Sequence, residues 1–356
     1  MKIQITKFIS KAIFLQMVVW AISATAFPIK SSAQSEFNFY VTPILPESQI
    51  EETTGYFDLN LRSGEEETLR LVLSNGSNEP IEVEISAHTA FTNTNGVVEY
   101  GVDATEPNPT LVYSIAELLE TPDPVTIPPG ETQEVAVTLK MPEESFVGIL
   151  AGGIRFSEVL QADGVESESN LAIQNTFSYN IGIIVSNERT AVNPDLELLE
   201  VYPNQINFRN VFSATIQNYT PTYVNRLEIE AQVREVGKDE ILYEAESSMM
   251  QMAPNSHFHY PIYLNGDRFR PGDYVLTMIA RSGEHEWEWE EYFTVEREIA
   301  RQLNEDDVTI DNSLNWWMIG TIGLGILLIL VIGFLGYKQQ QLKKQINQKQ
   351  NEKTEE

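Results

Sequence analysis

The sequence predicts an all-β ectodomain of two tandem immunoglobulin-like β-sandwiches, with an N-terminal signal peptide and one C-terminal transmembrane helix. Three observations carry this. Stretches of alternating apolar and polar residues recur every 8–15 residues from Phe37 to Val295, bounded by turn residues. In the same span Ser114 to Glu120 is the one helical candidate, too short to frame a fold. A 22-residue run without a charge, Trp316 to Tyr337, then stands near the C-terminus.

Residues 1–33 begin with Lys2, Lys7 and Lys11 and continue as an uncharged run from Ala12 to Ile29. A basic start, an apolar run and a small-x-small site make a secretory signal peptide. Ala24/Ala26 and Ser31–Ala33 offer cleavage after Ala26 or after Ala33, and Ala33 is the expected site.

Residues 34–188 are expected to form the first sandwich. Phe39 and Val41 alternate with Tyr40 and Thr42, Leu69, Leu71 and Leu73 with Arg70 and Val72, and Ile81, Val83 and Ile85 with Glu82 and Glu84. Asn95-Gly96, between Phe91 and Val97–Tyr100, signals a hairpin through a tight turn with positive φ at both central residues. Val125–Ile127, Pro128-Pro129-Gly130 and Val135–Leu139 read as strand, sharp turn, strand. Gly148–Phe156 and Phe177–Val185 are expected to pair antiparallel and close the domain, with a bulge or a close backbone contact at Gly148, Gly152 and Gly153.

Thr190 to Pro194 is the expected linker, and the boundary falls within about 172–194. Residues 189–300 follow as the second sandwich, with strands at 196–201, 211–217, 227–233, 241–244, 258–264, 274–279 and 287–295. Residues 301–315 read as an acidic juxtamembrane segment, 316–337 as the membrane helix and 338–356 as a basic cytoplasmic tail. Twenty-two residues at 1.5 Å each span about 33 Å, matching a bilayer core of roughly 30 Å. Trp316, Trp317 and Tyr337 sit where amphipathic rings favour the headgroups. Acids precede the run and Lys338, Lys343, Lys344, Lys349 and Lys353 follow it, so the positive-inside bias puts the tail in the cytoplasm.

Residues 34–337 hold 49 acids and 14 bases, a net charge of −35, which nucleic acid repels. Cysteine is absent, which removes thiol nucleophiles, disulfides and Cys-based metal sites. Nucleophile elbows, P-loops, dinucleotide fingerprints and zinc-protease helices are also absent. His257 and His259 share a strand face at i, i+2 but lack a third ligand, and His88 and His285 are isolated. Asp163, Glu166 and Glu168, and Glu305–Asp307, lack the spacing of a calcium loop and read as solvated surface. Trp287 and Trp289 alternate with Glu286, Glu288 and Glu290, which points the indoles inward. No catalytic, cofactor-binding or metal-ligating residue is assigned, no cofactor is expected, and ligand-binding residues are unknown from sequence.

The stretches FYVTPILPESQI (39–50), GYFDL (55–59), TAFTNTNGVVEY (89–100), TIPPGETQEVAVTLKMP (126–142) and GILAGGIRF (148–156) resemble the first domain of the WxL-interacting proteins of Gram-positive bacteria. YNIGIIVSNE (179–188), NPDLEL (193–198), NFRNVFSATIQN (207–218) and MAPNSHFHYPI (252–262) resemble their second domain. The resemblance implies a non-catalytic cell-surface scaffold or adhesin, whose first domain binds peptidoglycan and whose second binds host extracellular proteins, in association with secreted WxL-domain proteins. The chain contains no Trp-x-Leu tripeptide, so it would be the partner of those proteins. The competing expectation is a membrane-tethered chaperone that captures secreted proteins by strand addition, without wall binding of its own.

Overall fold

The computed structural model describes residues 39–50, 55–159, 177–310 and 316–352. The expected signal peptide and its cleavage sites, and Asp163, Glu166 and Glu168, lie outside the described residues. The chain forms two compact units. One runs to Ala90 and includes Tyr100–Thr105 and Val112–Ala191; the other takes Phe91–Glu99, Glu106–Leu111 and the chain from Val192 onward.

In the first unit, β1 (Phe39–Ile44), β3 (Glu66–Asn75), β9 (Thr132–Lys140) and β7 (Leu119–Glu120) form a sheet in the order β1-β3-β9-β7. A second sheet runs β2-β11-β10-β4-β8, from β2 (Phe57–Asn60), β11 (Ser178–Ser186), β10 (Leu150–Glu158), β4 (Ile81–Thr89) and β8 (Val125–Ile127). Alternate residues of the two sheets meet in one core. Phe39, Leu69, Leu71, Leu73 and Val137 come from one side, and Phe57, Leu59, Val83, Ile154, Phe156 and Val185 from the other.

Pro128-Pro129-Gly130 does more than reverse the chain. It carries it from β8 in one sheet to β9 in the other, with Gly130 at φ 70°. β10 and β11 pair antiparallel as expected, from Leu150↔Val185 to Ser157↔Ser178, without a register shift. The glycines mark close backbone contact, not a bulge. A Cβ on Gly152 would lie 2.3 Å from the His88 carbonyl oxygen, and one on Gly153 would lie 2.4 Å from that of Tyr100. The short helical candidate is present as α1 (Ile115–Leu118).

The second unit contains seven long strands: β12 (Leu196–Ile206), β13 (Arg209–Asn218), β14 (Val224–Glu235), β15 (Ile241–Met252), β16 (Ser256–Tyr263), β17 (Gly272–Ser282) and β18 (His285–Val295). They form two sheets, β12-β13-β16 and β15-β14-β17-β18. Phe212 centres the core, with the rings of Phe269, Tyr274 and Phe293 at 5.3, 5.5 and 5.1 Å. Trp287 and Trp289 pack against this core while Glu286, Glu288 and Glu290 stay exposed.

β5 (Phe91–Thr92) and β6 (Val98–Glu99) form the hairpin read from Asn95-Gly96, within the second unit. Its turn differs from the expected one, because only Gly96 takes a positive φ, 68°. The Asn93 side chain accepts hydrogen bonds from the Asn95 and Val97 amides at 2.9 and 3.1 Å, which closes a wider turn needing a single left-handed residue.

The sequence left a helix unrecognised. α2 (Arg297–Asp306) occupies part of the stretch read as a juxtamembrane segment, and its Ala300 and Asn304 are buried. α3 (Trp316–Glu352) follows. Its section Gly320–Gln341 is long and apolar enough to cross a membrane.

Candidate binding surfaces

The outward face of the five-stranded sheet in the first unit gathers side chains that the sequence left scattered. Arg155 on β10 stands directly across from Ser86 on β4 and from Asn180 on β11, while Gly153 stands between His88 and Gly182. The His88 ring, with its side chain 13% exposed, lies 2.9 Å from the Ser86 hydroxyl through Nε2 and 2.9 Å from the Asp103 carboxylate through Nδ1. His88 is therefore not isolated, as its sequence neighbours implied. Its strand partner Ser86 sits at i−2 on the same face, and Asp103 arrives on the 100–105 segment.

A hydroxyl, an imidazole and a carboxylate in this order are the parts of an activated nucleophile. Here the chain also fastens the 100–105 segment to the sheet. Arg155 adds a second fastening, donating from Nη1 to the Gly101 carbonyl at 3.0 Å. Among the described residues its Nε is the one buried side-chain polar atom with no hydrogen-bond partner.

Beside this network two glycines in register, Gly153 and Gly182, form a floor on which Tyr100 rests over Gly153. The position a Cβ would take on Gly182 is 3.5 Å from the Tyr56 side chain and 4.0 Å from the Tyr100 ring. Tyr56 is exposed, so one edge of this floor presents an aromatic ring to solvent. Asp58, on β2 just after Tyr56, pairs with Arg189.

In the second unit the two histidines of β16 each have polar partners. His259 Nδ1 lies 3.0 Å from the Thr215 hydroxyl and 3.2 Å from that of Tyr202. Asn108, from the inserted segment Glu106–Leu111, takes three hydrogen bonds at Oδ1, from Gln217 Nε2 and from the Thr110 amide and hydroxyl. Those donors fix its amide orientation, so its Nδ2 donates to His257 Nδ1 at 3.1 Å. Burial, then the neighbouring His259, push the His257 pKa down, with Glu106 opposing. Among the described residues no group of three His, Asp or Glu could hold a metal ion.

Two further surfaces flank the long strands. The outward face of the four-stranded sheet carries Glu228, Glu230, Glu244, Glu246, Glu286, Glu288 and Glu290, with Arg281 bridging Glu230 and Glu286. At one end of it, a shallow groove of about 850 Å³ is lined by Tyr223, Arg226, Met249, Gln251, Glu284 and His285. Arg226 and Met249 take φ of 50° and 59° at two register shifts between β14 and β15 that cancel each other. His285 stacks on Trp287, their ring centroids 5.8 Å apart.

Nearby, Asp195 accepts from Tyr219, from Trp287 Nε1 at 2.9 Å and from the Leu196 amide at 3.0 Å. The Tyr219 hydrogen bond above all, and then those from Trp287 and Leu196, hold its pKa below the usual carboxylate range against the opposing effect of burial.

Residues 39–158 match the family model of the WxL Interacting Protein, peptidoglycan binding domain, and residues 168–305 match that of the WxL Interacting Protein, host binding domain. The second match opens on a stretch whose strand, β11, belongs to the sheet of the first unit. No curated protein matches the chain. Solved structures with partial likeness include the class 5 fimbriae chaperone CfaA, 16% identical over 72% of this chain and 98% of that one, TM-score 0.29. The Salmonella enterica SafA pilin–SafB chaperone complex gives a match 13% identical over 74% of this chain and 99% of that one, TM-score 0.30. The Acinetobacter baumannii CsuC–CsuE chaperone–tip subunit complex gives one of 12% over 71% and 97%, TM-score 0.31. Overlaps this partial say nothing of what the chain binds.

Proposed function

Because the chain belongs to the WxL-interacting protein family, we propose that it is a membrane-anchored, non-catalytic surface protein that holds peptidoglycan through its first domain and WxL or host proteins through its second. The observation carrying this reading is the pair of domain matches, in order, ahead of a helix able to span a bilayer. The basic residues after that helix favour a cytoplasmic tail. The Ser86–His88–Asp103 chain acts as a latch in this reading. Labelling of Ser86 by a fluorophosphonate would count against the non-catalytic assignment.

Electrostatics limit how the wall is held. A surface of net −35 is repelled by anionic wall polymers, so recognition rests on hydrogen bonds and on stacking against glycan or peptide. The exposed Tyr56 beside the Gly153–Gly182 floor is the place we assign to that stacking, with Asn180 alongside as a hydrogen-bonding group.

Co-sedimentation of the ectodomain with peptidoglycan sacculi tests this. Binding to sacculi stripped of anionic polymer should equal or exceed binding to intact wall, and Tyr56→Ala should weaken it about tenfold, the loss of roughly 1.4 kcal/mol. Failure of the folded protein to pellet with either preparation sinks the wall-binding assignment.

A further inference from the structure

We infer that the hairpin tip at Phe208 is a second membrane contact, seated in the headgroup layer of the bilayer that α3 enters. The inference rests on reading α3 as a membrane span and goes beyond anchoring by that helix alone. β12 and β13 are joined through Asn207 and Phe208, with φ of 51° and 57°. A two-residue turn of this kind favours Asn or Gly at both positions, and a bulky residue there is strained. Asn207 fits the preference and Phe208 does not. Core packing does not compensate for it, because Phe208 is 66% exposed. A strained, exposed aromatic at a loop tip suits a ligand that covers it.

The chain itself says what that ligand is. The Val308 amide donates to the Phe208 carbonyl at 3.0 Å, and Val308 is 69% exposed, so two large apolar side chains mark one tip. The approach to the membrane helix is lashed to this hairpin. Asp307 accepts from the Asn210 amide at 2.7 Å, Asn304 Oδ1 accepts from Asn210 Nδ2 at 3.0 Å, and Gln205 donates to the Leu303 carbonyl at 2.6 Å. Eight steps along the chain separate Val308 from Trp316, so the tip stays within about 30 Å of the start of α3 whatever the helix direction.

Exposed Arg209 adjoins the tip, and exposed Arg268 and Arg270 flank Phe269, whose amide bonds Asn304 at 2.8 Å. Asp267, Glu305, Asp306 and Asp307 oppose them locally, so three arginines meet four carboxylates. The mixture is close to balanced within a strongly acidic chain, and arginines beside an exposed aromatic fit the phosphate level of a headgroup layer.

The absence of cysteine makes the test clean. In the full-length chain, Phe208→Cys and Met249→Cys each give a single site for a nitroxide spin label. The proteins are reconstituted into vesicles of phosphatidylcholine with one-third phosphatidylglycerol. The label at 208 should collide with dissolved oxygen more than with a water-soluble nickel chelate, and the label at 249 should show the reverse.

Phe208→Asn relieves the backbone strain, so it should raise the thermal midpoint while increasing the nickel accessibility of a label at Val308→Cys. A purely structural Phe208 would lower the midpoint instead, which overturns the inference. Equal nickel accessibility at 208 and 249 in a carbonate-resistant chain overturns it too, including the case where a protein partner then shields 208. Extraction of the chain by carbonate removes the anchoring reading and this inference together.

Discussion

His257 shows how far a single hydrogen bond constrains a titrating group. Its Nδ1 must stay unprotonated to accept from Asn108, whose amide cannot turn because three donors hold its oxygen. The folded state lowers the His257 pKa, so the unfolded chain binds more protons as the pH falls below the ordinary histidine value. Stability from this residue is complete above about pH 6.5 and declines as the pH drops toward the lower folded value. The protection factor of the Thr110 amide against hydrogen exchange should fall over that interval, and His257→Gln should flatten the dependence.

His88 makes a different prediction. His88→Ala leaves Ser86 and Asp103 without their shared partner and should cost about 1–2 kcal/mol, read by denaturant unfolding. The sequence made the i, i+2 pair of histidines visible but hid both networks, since Asn108 lies 149 residues from His257 and Asp103 lies 15 from His88. Spacing along a strand tells which residues share a face, and it is silent on which loop covers that face.

At the scale of elements, period-2 alternation located the seven strands of the second unit and most of the first, because each has one face in a core. It shortened several of them. β13 is buried along nearly its whole length, so apolar-polar alternation fades there. β15 continues to Met252 through Ser247 and Ser248, where polar residues interrupt the pattern.

α2 escaped notice because its sequence, REIARQLNED, offers only Ile299, Ala300 and Leu303 as apolar residues, and its docking relies on Asn304 and the flanking Asp307. Gly153 gives the test at this scale. The sequence flagged it as a weak point of a strand, whereas the structure makes it a required close approach. Gly153→Ala places a methyl 2.4 Å from the Tyr100 carbonyl and should destabilise by about 1–3 kcal/mol, measured by thermal or denaturant unfolding.

For the whole molecule, a cut at 188/189 strips the second unit of parts that its strands need. Thr92 bonds the Ser256 hydroxyl at 2.7 Å and the Ala253 amide at 3.0 Å, Gly96 accepts from the Gln251 amide, and Thr110 bonds Asn255. A fragment 189–310 should therefore show a lower unfolding midpoint than the same unit within residues 39–310, or fail to unfold cooperatively in calorimetry. A fragment ending at 300 loses Asn304 and Asp307 as well and should fare worse.

The same discontinuity sets an order for folding. A chain emerging from its N-terminus releases Thr92 and Asn108 long before Gln217 and Ser256, so the β5–β6 hairpin and the 106–111 segment must wait for residues more than a hundred positions later. Contacts that distant delay folding, since loop closure precedes the contacts that stabilise it. Until then Thr92, which is buried in the finished protein, faces solvent. Synthesis of the C-terminal half is thus the event that completes a part of the N-terminal half, and a late step in maturation belongs to residues made among the first.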